Sequence, residues 1–285
     1  MANAITGIDH VLIGVGDLEA AAEAWRRLGF TTAPRGAHVG RRTGNYCIMF
    51  ERDYVELIGI VTTDAPPSSL ETLLAERGDG LIGAAMATEG AHESYRLMRE
   101  AGLDPAPVTD LARPVDLADG PGEARFALVE LPPDRTPDFR LFVCDHLTPD
   151  AVRQPGWLRH ANGVTGIRTI AVVVAEPARL EPAHAGLFGS GATTMTDETL
   201  TVFTGSARLV FATEEDMAAL YPEFDLPPGG PVPRGAAVSF AVADIATTTA
   251  CLDRAGVAYE TGLDGALRVA PDVANGTLVE FAPAD

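Results

Sequence analysis

The chain has 285 residues, 46% hydrophobic and 21% charged, with a formal net charge of −19 at pH 7. That length suits one large domain or two of moderate size. The charge argues against nucleic acid and against an anionic membrane surface, whose phosphates it would repel, and leaves small molecules as partners, anionic ones included, because a local pocket can differ from the average.

Three cysteines, Cys47, Cys144 and Cys251, are odd in number and show no Cys-x-x-Cys spacing. This argues against a disulfide framework or a structural zinc knuckle. No apolar run approaches ~18 residues. The first residues lack a basic stretch followed by an apolar one, so no leader is expected and the cytoplasm is the expected compartment.

In chain order, residues 5–15 read as a long apolar strand. Asp17 then caps a helix over Ala20–Leu28 that stops at Gly29. Phe30–Ala33 reads as a strand and Pro34–Gly44 as a loop holding His38, Arg41 and Arg42. Asn45–Phe50 and Tyr54–Val61 read as two strands around an Arg52-Asp53 turn. A second pass follows. Leu81–Thr88 is a strand, Gly90–Ala101 a helix ended by Gly102, and strands are expected near Pro105–Asp110, Ala124–Leu131 and Arg140–Cys144. Leu111–Glu123, rich in Pro, Asp and Gly, reads as a loop, either a lid or a solvated hairpin.

Pro149–Gly163 reads as a linker, with Trp157 and His160 anchoring it across the first half. Val164-Thr165-Gly166-Ile167 then echoes Ile5-Thr6-Gly7-Ile8. A third unit has a strand at Ile167–Ala175, a helix at Leu180–Phe188 and strands near 191–195, 199–203 and 207–212. After a short helix at Glu214–Tyr221 comes a second linker, Leu226–Pro231. A fourth unit has a strand at Ala236–Val242, a helix at Ile245–Arg254 and strands near 257–260, 266–270 and 277–282. Its Ala255-Gly256 helix end repeats Ala101-Gly102. The expected fold is therefore α+β: four βαβββ modules paired into two open, eight-stranded, barrel-like cups. The expected division is residues 1–150, a linker over 151–163, and residues 164–285.

His10 on the first strand, Glu56 in the apolar run Tyr54–Ile58 and His146 at the end of Leu141–His146 are expected to converge in one cavity. An unpaired carboxylate in an apolar strand is costly, so Glu56 needs a cation or a hydrogen-bond donor. Two imidazole nitrogens and one carboxylate suit Fe, Mn, Zn or Ni with positions left open for substrate. Glu56 and His38 are candidates for moving protons, and Asn45, Tyr46, Tyr54 and Cys144 for contacting substrate. His92 and His184, on helices, are expected to face solvent. No Gly-x-Gly-x-x-Gly opens a strand–helix crossover, and no Gly-x-Ser-x-Gly elbow is present.

Paired βαβββ modules whose first strand opens Asp9-His10-Val11 resemble the vicinal-oxygen-chelate superfamily, which includes glyoxalase I, bleomycin-resistance proteins and extradiol dioxygenases. Thr43-Gly44-Asn45, Cys47–Phe50, Tyr54–Ile58, Phe142–His146 with Thr148-Pro149, and Trp157 followed by His160–Gly163 resemble its glyoxalase-like domain branch. The resemblance implies metal ligands on the first and last strands of the modules of a cup. Carried over, these are His10 and Glu56, then Gly83, which has no ligating side chain, and a position near Cys144. His146, two residues beyond Cys144 and on the same strand face, stands in for the missing ligand. In the second half the counterparts read as Thr169, Leu209, Ala237 and Glu280, so that cup is expected to hold no metal and to be structural or a homodimer surface. The leading expectation is a metal-dependent lyase, isomerase or dioxygenase acting on a small oxygenated metabolite in the N-terminal cup. The rivals are a metal-free binding protein of bleomycin-resistance type and a metal-free acid–base tailoring enzyme.

Overall fold

A computed structural model of the chain describes residues 4–117, 120–132, 136, 139–224 and 232–283. The Leu226–Pro231 linker lies outside the described residues. The first half runs β1 (Ile5–Val15), α1 (Leu18–Arg27), β2 (Gly36–Ala37), β3 (Thr43–Met49), β4 (Tyr54–Ile60), α2 (Ser69–Arg77), β5 (Gly80–Thr88), α3 (Ala91–Glu100), β6 (Thr109–Leu117), β7 (Gly120–Glu130) and β8 (Arg140–His146). After α4 (Pro149–Val152) the second half runs β9 (Val164–Val173), α5 (Glu181–Phe188), β10 (Thr193–Thr196), β11 (Thr199–Phe203), β12 (Arg208–Ala212), α6 (Glu214–Leu220), β13 (Arg234–Val242), α7 (Ile245–Ala255), β14 (Glu260–Thr261), β15 (Leu267–Val269) and β16 (Leu278–Pro283).

Each half is one eight-stranded mixed sheet, ordered β2-β3-β4-β1-β5-β8-β7-β6 and β10-β11-β12-β9-β13-β16-β15-β14. The expected α+β fold with two cups is what the chain adopts. Within each module the first strand pairs in parallel with the last, as β1 does with β4 and β5 with β8. The two modules of a half meet through antiparallel first strands, β1 with β5 and β9 with β13.

Local chemistry explains the helix ends. Asp17 accepts the Glu19 and Ala20 N–H groups at 3.1 and 3.0 Å, and Gly29 closes α1 with φ of 89°. Leu18, Ala21, Ala22 and Trp25 form its buried stripe. Trp25, Phe30 and Phe50 then meet Phe240 from the second half in one aromatic cluster inside a core shared by both halves.

The Thr-Gly-Ile echo has a structural cause. Along β1 the register against β5 slips at Thr6 and at Asp9, and along β9 the register against β13 slips at Thr165 and Arg168. Each slip is an extra residue, a β-bulge. The glycine after the first bulge lets a hairpin of the other half come close. The Ile8 N–H donates to Ser206 Oγ at 2.9 Å, and the Ile167 N–H donates to Asp53 Oδ1 at 3.0 Å. A Cβ on Gly7 would stand 2.3 Å from Ser206 Oγ. The halves thus grip each other reciprocally, turn residue against bulged strand.

Asp53 makes that grip pH-dependent. Burial pushes its carboxyl up to about 7, against the Ile167 hydrogen bond and the nearby Arg153 and Arg52. The folded chain therefore holds this proton more tightly than the unfolded one. Its contribution to stability is greatest below pH ~4 and falls as the pH rises toward 7. Asp53→Asn keeps an acceptor for Ile167 and removes the charge. The variant is expected to gain roughly 2–4 kcal/mol over wild type above pH 7 and to lose that advantage near pH 4. Urea unfolding at pH 4, 6 and 8 checks this; a gain independent of pH would contradict it.

Three readings of the sequence need correcting. Phe30–Ala33 is not a strand, because Phe30 is drawn into the inter-half core; the pairing segment is the two-residue β2. Leu111–Glu123 is mostly the long β6–β7 hairpin rather than a loop. Pro114 is tolerated there because β6 is an edge strand, where no ladder hydrogen bond is needed on its outer side. The helix α2 went unread although Ser68 and Glu71 form a capping box at its start. Among the described residues no helix is long and apolar enough to cross a membrane.

Candidate active site in the N-terminal cup

A cavity of about 760 Å³ is lined by the first sheet, by α2 and by residues of the second half, Val173 and Arg234 among them. His10 and Leu12 reach it from β1, Thr43 and Asn45 from β3, Tyr54 and Glu56 from β4, and Phe142 and Cys144 from β8. Strand alternation decides which residues point in. Cys47 and Met49 pack in the cup and Tyr46 and Ile48 in the opposite core. Tyr46 is therefore turned away from the cavity, and its hydroxyl donates to Glu19 on α1 at 2.8 Å. It does not contact a ligand in the cup, contrary to the sequence expectation.

Alternation alone would also send Asp9 and His10 to opposite faces. The bulge at Asp9 brings both to the same cluster. Asp9 Oδ2 accepts from His10 Nδ1 at 2.7 Å and from His146 Nε2 at 2.9 Å. With its Nδ1 proton on Asp9, His10 turns Nε2 toward Glu56 Oε2, 3.5 Å away. Tyr54 stacks on the His10 ring, with centroids 4.4 Å apart. From the other side, His38 Nε2 stands 3.6 Å from Glu56 Oε1. The Asn45 amide donates to that same Oε1 at 2.7 Å and lies 3.5 Å from His38 Nε2. His38 Nδ1 is 2.8 Å from Thr43 Oγ1. The His38 ring is thus held between Thr43 at Nδ1 and the Asn45 amide and Glu56 at Nε2.

The charges follow from this packing. Burial raises the Glu56 carboxyl, but His10, His38, the Asn45 hydrogen bond and Arg113 outweigh it, so its pKa lies below the ordinary value. Burial likewise raises Asp9, yet His146 and His10 hold it well below the carboxylate range. Burial lowers His38 against the pull of Glu56, with Arg113 and Arg41 adding to the fall. Cys47 is pushed up to about 12 and Cys144 well above its ordinary value, both by burial first. Neither thiol is a nucleophile at neutral pH.

The structure thus brings His10, Glu56, His38 and Asn45 together, with Tyr54 and Cys144 on the same cavity wall. It aims His146 at Asp9 instead of Glu56, so Asp9 stands between the two histidines. Asp9, Thr43, Arg41 and Arg113 are site residues that the sequence reading missed. Asp9 was hidden by the bulge, and Arg113 by its place in a segment read as loop.

Two donor groups bear on metal binding. Glu56, flanked by two imidazole nitrogens whose partner nitrogens are fixed by Asp9 and Thr43, offers the donor types of a divalent site, but among the described residues three ligand atoms gather within 4.8 Å of one another at the second group and not at this one. Asp9, Cys144 and His146 place ligand atoms within 4.8 Å of one another, and of these only Cys144 lines the cavity. Gly83 cannot be filled: a Cβ there would meet the Arg140 carbonyl at 2.8 Å.

The linker closes the far side of the cup. Trp157 packs on its cluster, and His160 bonds the Thr31 N–H at 3.0 Å and the Met49 carbonyl at 2.9 Å. His92 is exposed, but His184 is buried, with Nδ1 donating to the Leu180 carbonyl at 2.8 Å, so it does not face solvent.

The second cup is built differently. By register Thr169 stands for His10 and Ala237 for Gly83, while the Glu56 counterpart is Val210, one residue beyond Leu209. Glu280 stands where the first half has Phe142. Its carboxylate accepts from Ser239 Oγ and from Arg268 Nε, each at 2.7 Å. Arg268 also binds Glu223 at 2.7 Å and Asp264 at 3.1 Å. A guanidinium supplies the counter-charge for Glu280 there.

A family model described as a glyoxalase-like domain matches residues 8–188. No curated protein matches the sequence. Among solved structures, a hypothetical protein from Staphylococcus aureus aligns at 11% identity with a TM-score of 0.67, covering 97% of this chain and 99% of that one. A xylose isomerase-like TIM barrel/4-hydroxyphenylpyruvate dioxygenase fusion protein aligns at 15% identity and 0.64, covering 99% of this chain and 49% of its own. A triple mutant of 4-hydroxymandelate synthase from Streptomyces coelicolor aligns at 12% and 0.59, covering 98% and 93%. At such identities the likeness is one of fold.

Proposed function

The chain belongs to the glyoxalase-like domain family, and from that premise we propose that its N-terminal cup is the active site of a vicinal-oxygen-chelate enzyme acting on a small oxygenated metabolite. The observation that carries this reading is the Glu56 carboxylate, faced by two imidazole Nε2 atoms at 3.5 and 3.6 Å. Both imidazoles are fixed through Nδ1. The carboxylate and the two Nε2 atoms face one another at distances beyond a good hydrogen bond, an arrangement that a shared cation or proton relieves.

His10 and Glu56 would hold a divalent metal (Fe, Mn, Zn or Ni), with His38 as a further nitrogen. When bound, such an ion polarises adjacent substrate oxygens. The chain's own groups do the rest. Glu56 takes or returns a proton at Oε2 while Asn45 holds Oε1. Where no metal takes its Nε2, His38, its pKa lowered by burial, accepts a proton there. Tyr54 and Phe142 brace the His10 ring from two sides. Lyase, isomerase and dioxygenase outcomes all use these parts. In the same reading, residues 1–150 and 164–285 are two like domains, of which the first alone carries chemistry.

One observation favours a metal-free acid–base enzyme as the second reading: Gly83 leaves the family ligand set incomplete and cannot accept a side chain. Metal analysis of protein purified without chelator, followed by calorimetric titration with Mn²⁺ and Zn²⁺, separates the two. About one equivalent per chain is expected, lost in His10→Ala. Neither stoichiometric metal nor binding on titration would sink the metal reading and leave Glu56 and His38 as the acid–base pair.

A further inference from the structure

Every one of the chain's 21 basic residues is an arginine, set against 40 acidic ones. Five of these arginines line the cavity of the first cup: Arg41, Arg77, Arg113, Arg140 and Arg234. Three are occupied. Arg140 pairs with Glu130 and Arg234 with Glu214, each at 2.7 Å, and Arg77 donates to the Pro233 carbonyl. Arg113 and Arg41 make no hydrogen bond or ion pair among the described residues. Arg113 is half-buried on the edge strand β6, and its charge bears on Glu56, His38 and Cys47. Its Nη1 would lie 3.1 Å from a Cβ on Gly36, the residue whose Cβ would also meet Asn45 Oδ1 at 2.3 Å, so the guanidinium reaches the wall beside Asn45. Arg41 is exposed in the turn before β3 and also bears on His38. The same cavity also presents apolar side chains, among them Leu12, Ile58, Leu111, Phe126, Leu128 and Phe142.

An unpaired guanidinium held half out of water beside a reactive cluster costs desolvation that a ligand anion returns. Arginine's planar fork matches a carboxylate in two parallel hydrogen bonds. We infer that the cup's substrate is a small carboxylate with an apolar or aromatic body, its acid group gripped by Arg113, with Arg41 drawing it in at the mouth. This rests on the reading of the cup as the active site and adds the class of molecule it takes. In a chain so strongly acidic, a local cationic patch is what lets an anion enter.

The test compares 3-phenylpropanoate with 3-phenylpropanamide, which share a skeleton and differ in charge, by calorimetric titration of the full chain. Wild type is expected to bind the acid at least ~10-fold more tightly than the amide, since each such factor is only about 1.4 kcal/mol. Arg113→Gln should erase the preference while leaving the melting temperature and metal content unchanged. Arg113→Lys should retain part of it. Arg41→Gln should slow association and steepen no other change. The preference should survive in chelator-treated wild type and in Glu56→Gln, which separates it from the metal and acid–base chemistry: protein with no metal but an intact acid preference would overturn the proposed mechanism and keep this inference. Equal binding of acid and amide, no binding of the acid at millimolar concentration, or a preference that persists in Arg113→Gln and in an Arg113→Met control would overturn it.

Discussion

Glu56→Gln is expected to lower turnover in the cup by about 10²–10⁴-fold, the usual loss when a positioned proton-transfer group is removed. The amide has the size of the carboxylate and can still accept from Asn45, so the fold should remain. What it lacks is the charge that His10 and His38 face at 3.5 and 3.6 Å. The variant should therefore also bind Mn²⁺ or Zn²⁺ at least 10-fold more weakly, a readout that needs no substrate. The pH dependence has a definite sign. The Glu56 pKa is lowered despite burial, so the carboxylate stays ionised throughout the neutral and mildly acid range. Stability and metal affinity that depend on it should hold until the pH drops below the ordinary carboxylate value, then fall as the group protonates. A Glu56→Gln protein with full metal affinity and undiminished turnover would show that the carboxylate only fills space.

The second large effect concerns the C-terminal half. Arg268 is buried and contacts three carboxylates, those of Glu280, Glu223 and Asp264, with its face 5.4 Å from the Tyr221 ring centroid. Arg268→Met should cost about 3–5 kcal/mol, because it leaves Glu280 buried without a counter-charge. For a chain of this size that lowers the melting temperature by on the order of 10 °C. The double variant Arg268→Met/Glu280→Leu should recover most of the loss, since exchanging a whole buried pair for apolar residues is often near neutral. Metal content in the first cup should be the same in all three proteins. Thermal unfolding of the two variants beside wild type checks this; a single variant as stable as wild type would mean that the cluster is solvated in solution.

Much of this arrangement could be read from residues alone, and the reasons differ element by element. Apolar periodicity, Asp17 and Gly29 mark β1 and α1, because local hydrogen bonding and burial specify them. The repeats are legible through Thr-Gly-Ile, which records a bulge and a close approach, both local demands on sequence. His10 and Glu56 stand out because ionisable groups in apolar strands need partners. Long-range geometry is what escapes. Nothing near Asp9 announces an extra residue in the register, so the carboxylate that ties His10 to His146 reads as an outward-facing side chain. Arg113 sits in a stretch whose Pro, Asp and Gly suggest a loop, and only the pairing of β6 with β7 carries it to the cavity. Tyr46 fails for the converse reason: one step along a strand exchanges cup for core.

The bulge at Asp9 has a counterpart at Arg168 in the second half. The extra residue therefore recurs at the equivalent place in both sheets. In the first it is what lets the adjacent Asp9 and His10 meet. Arg168 and Thr169 are the same two positions in the sister copy. A protein engineer seeking a second reactive centre in this molecule would begin there, with the backbone already made, and with the Arg268 cluster as the occupant to evict.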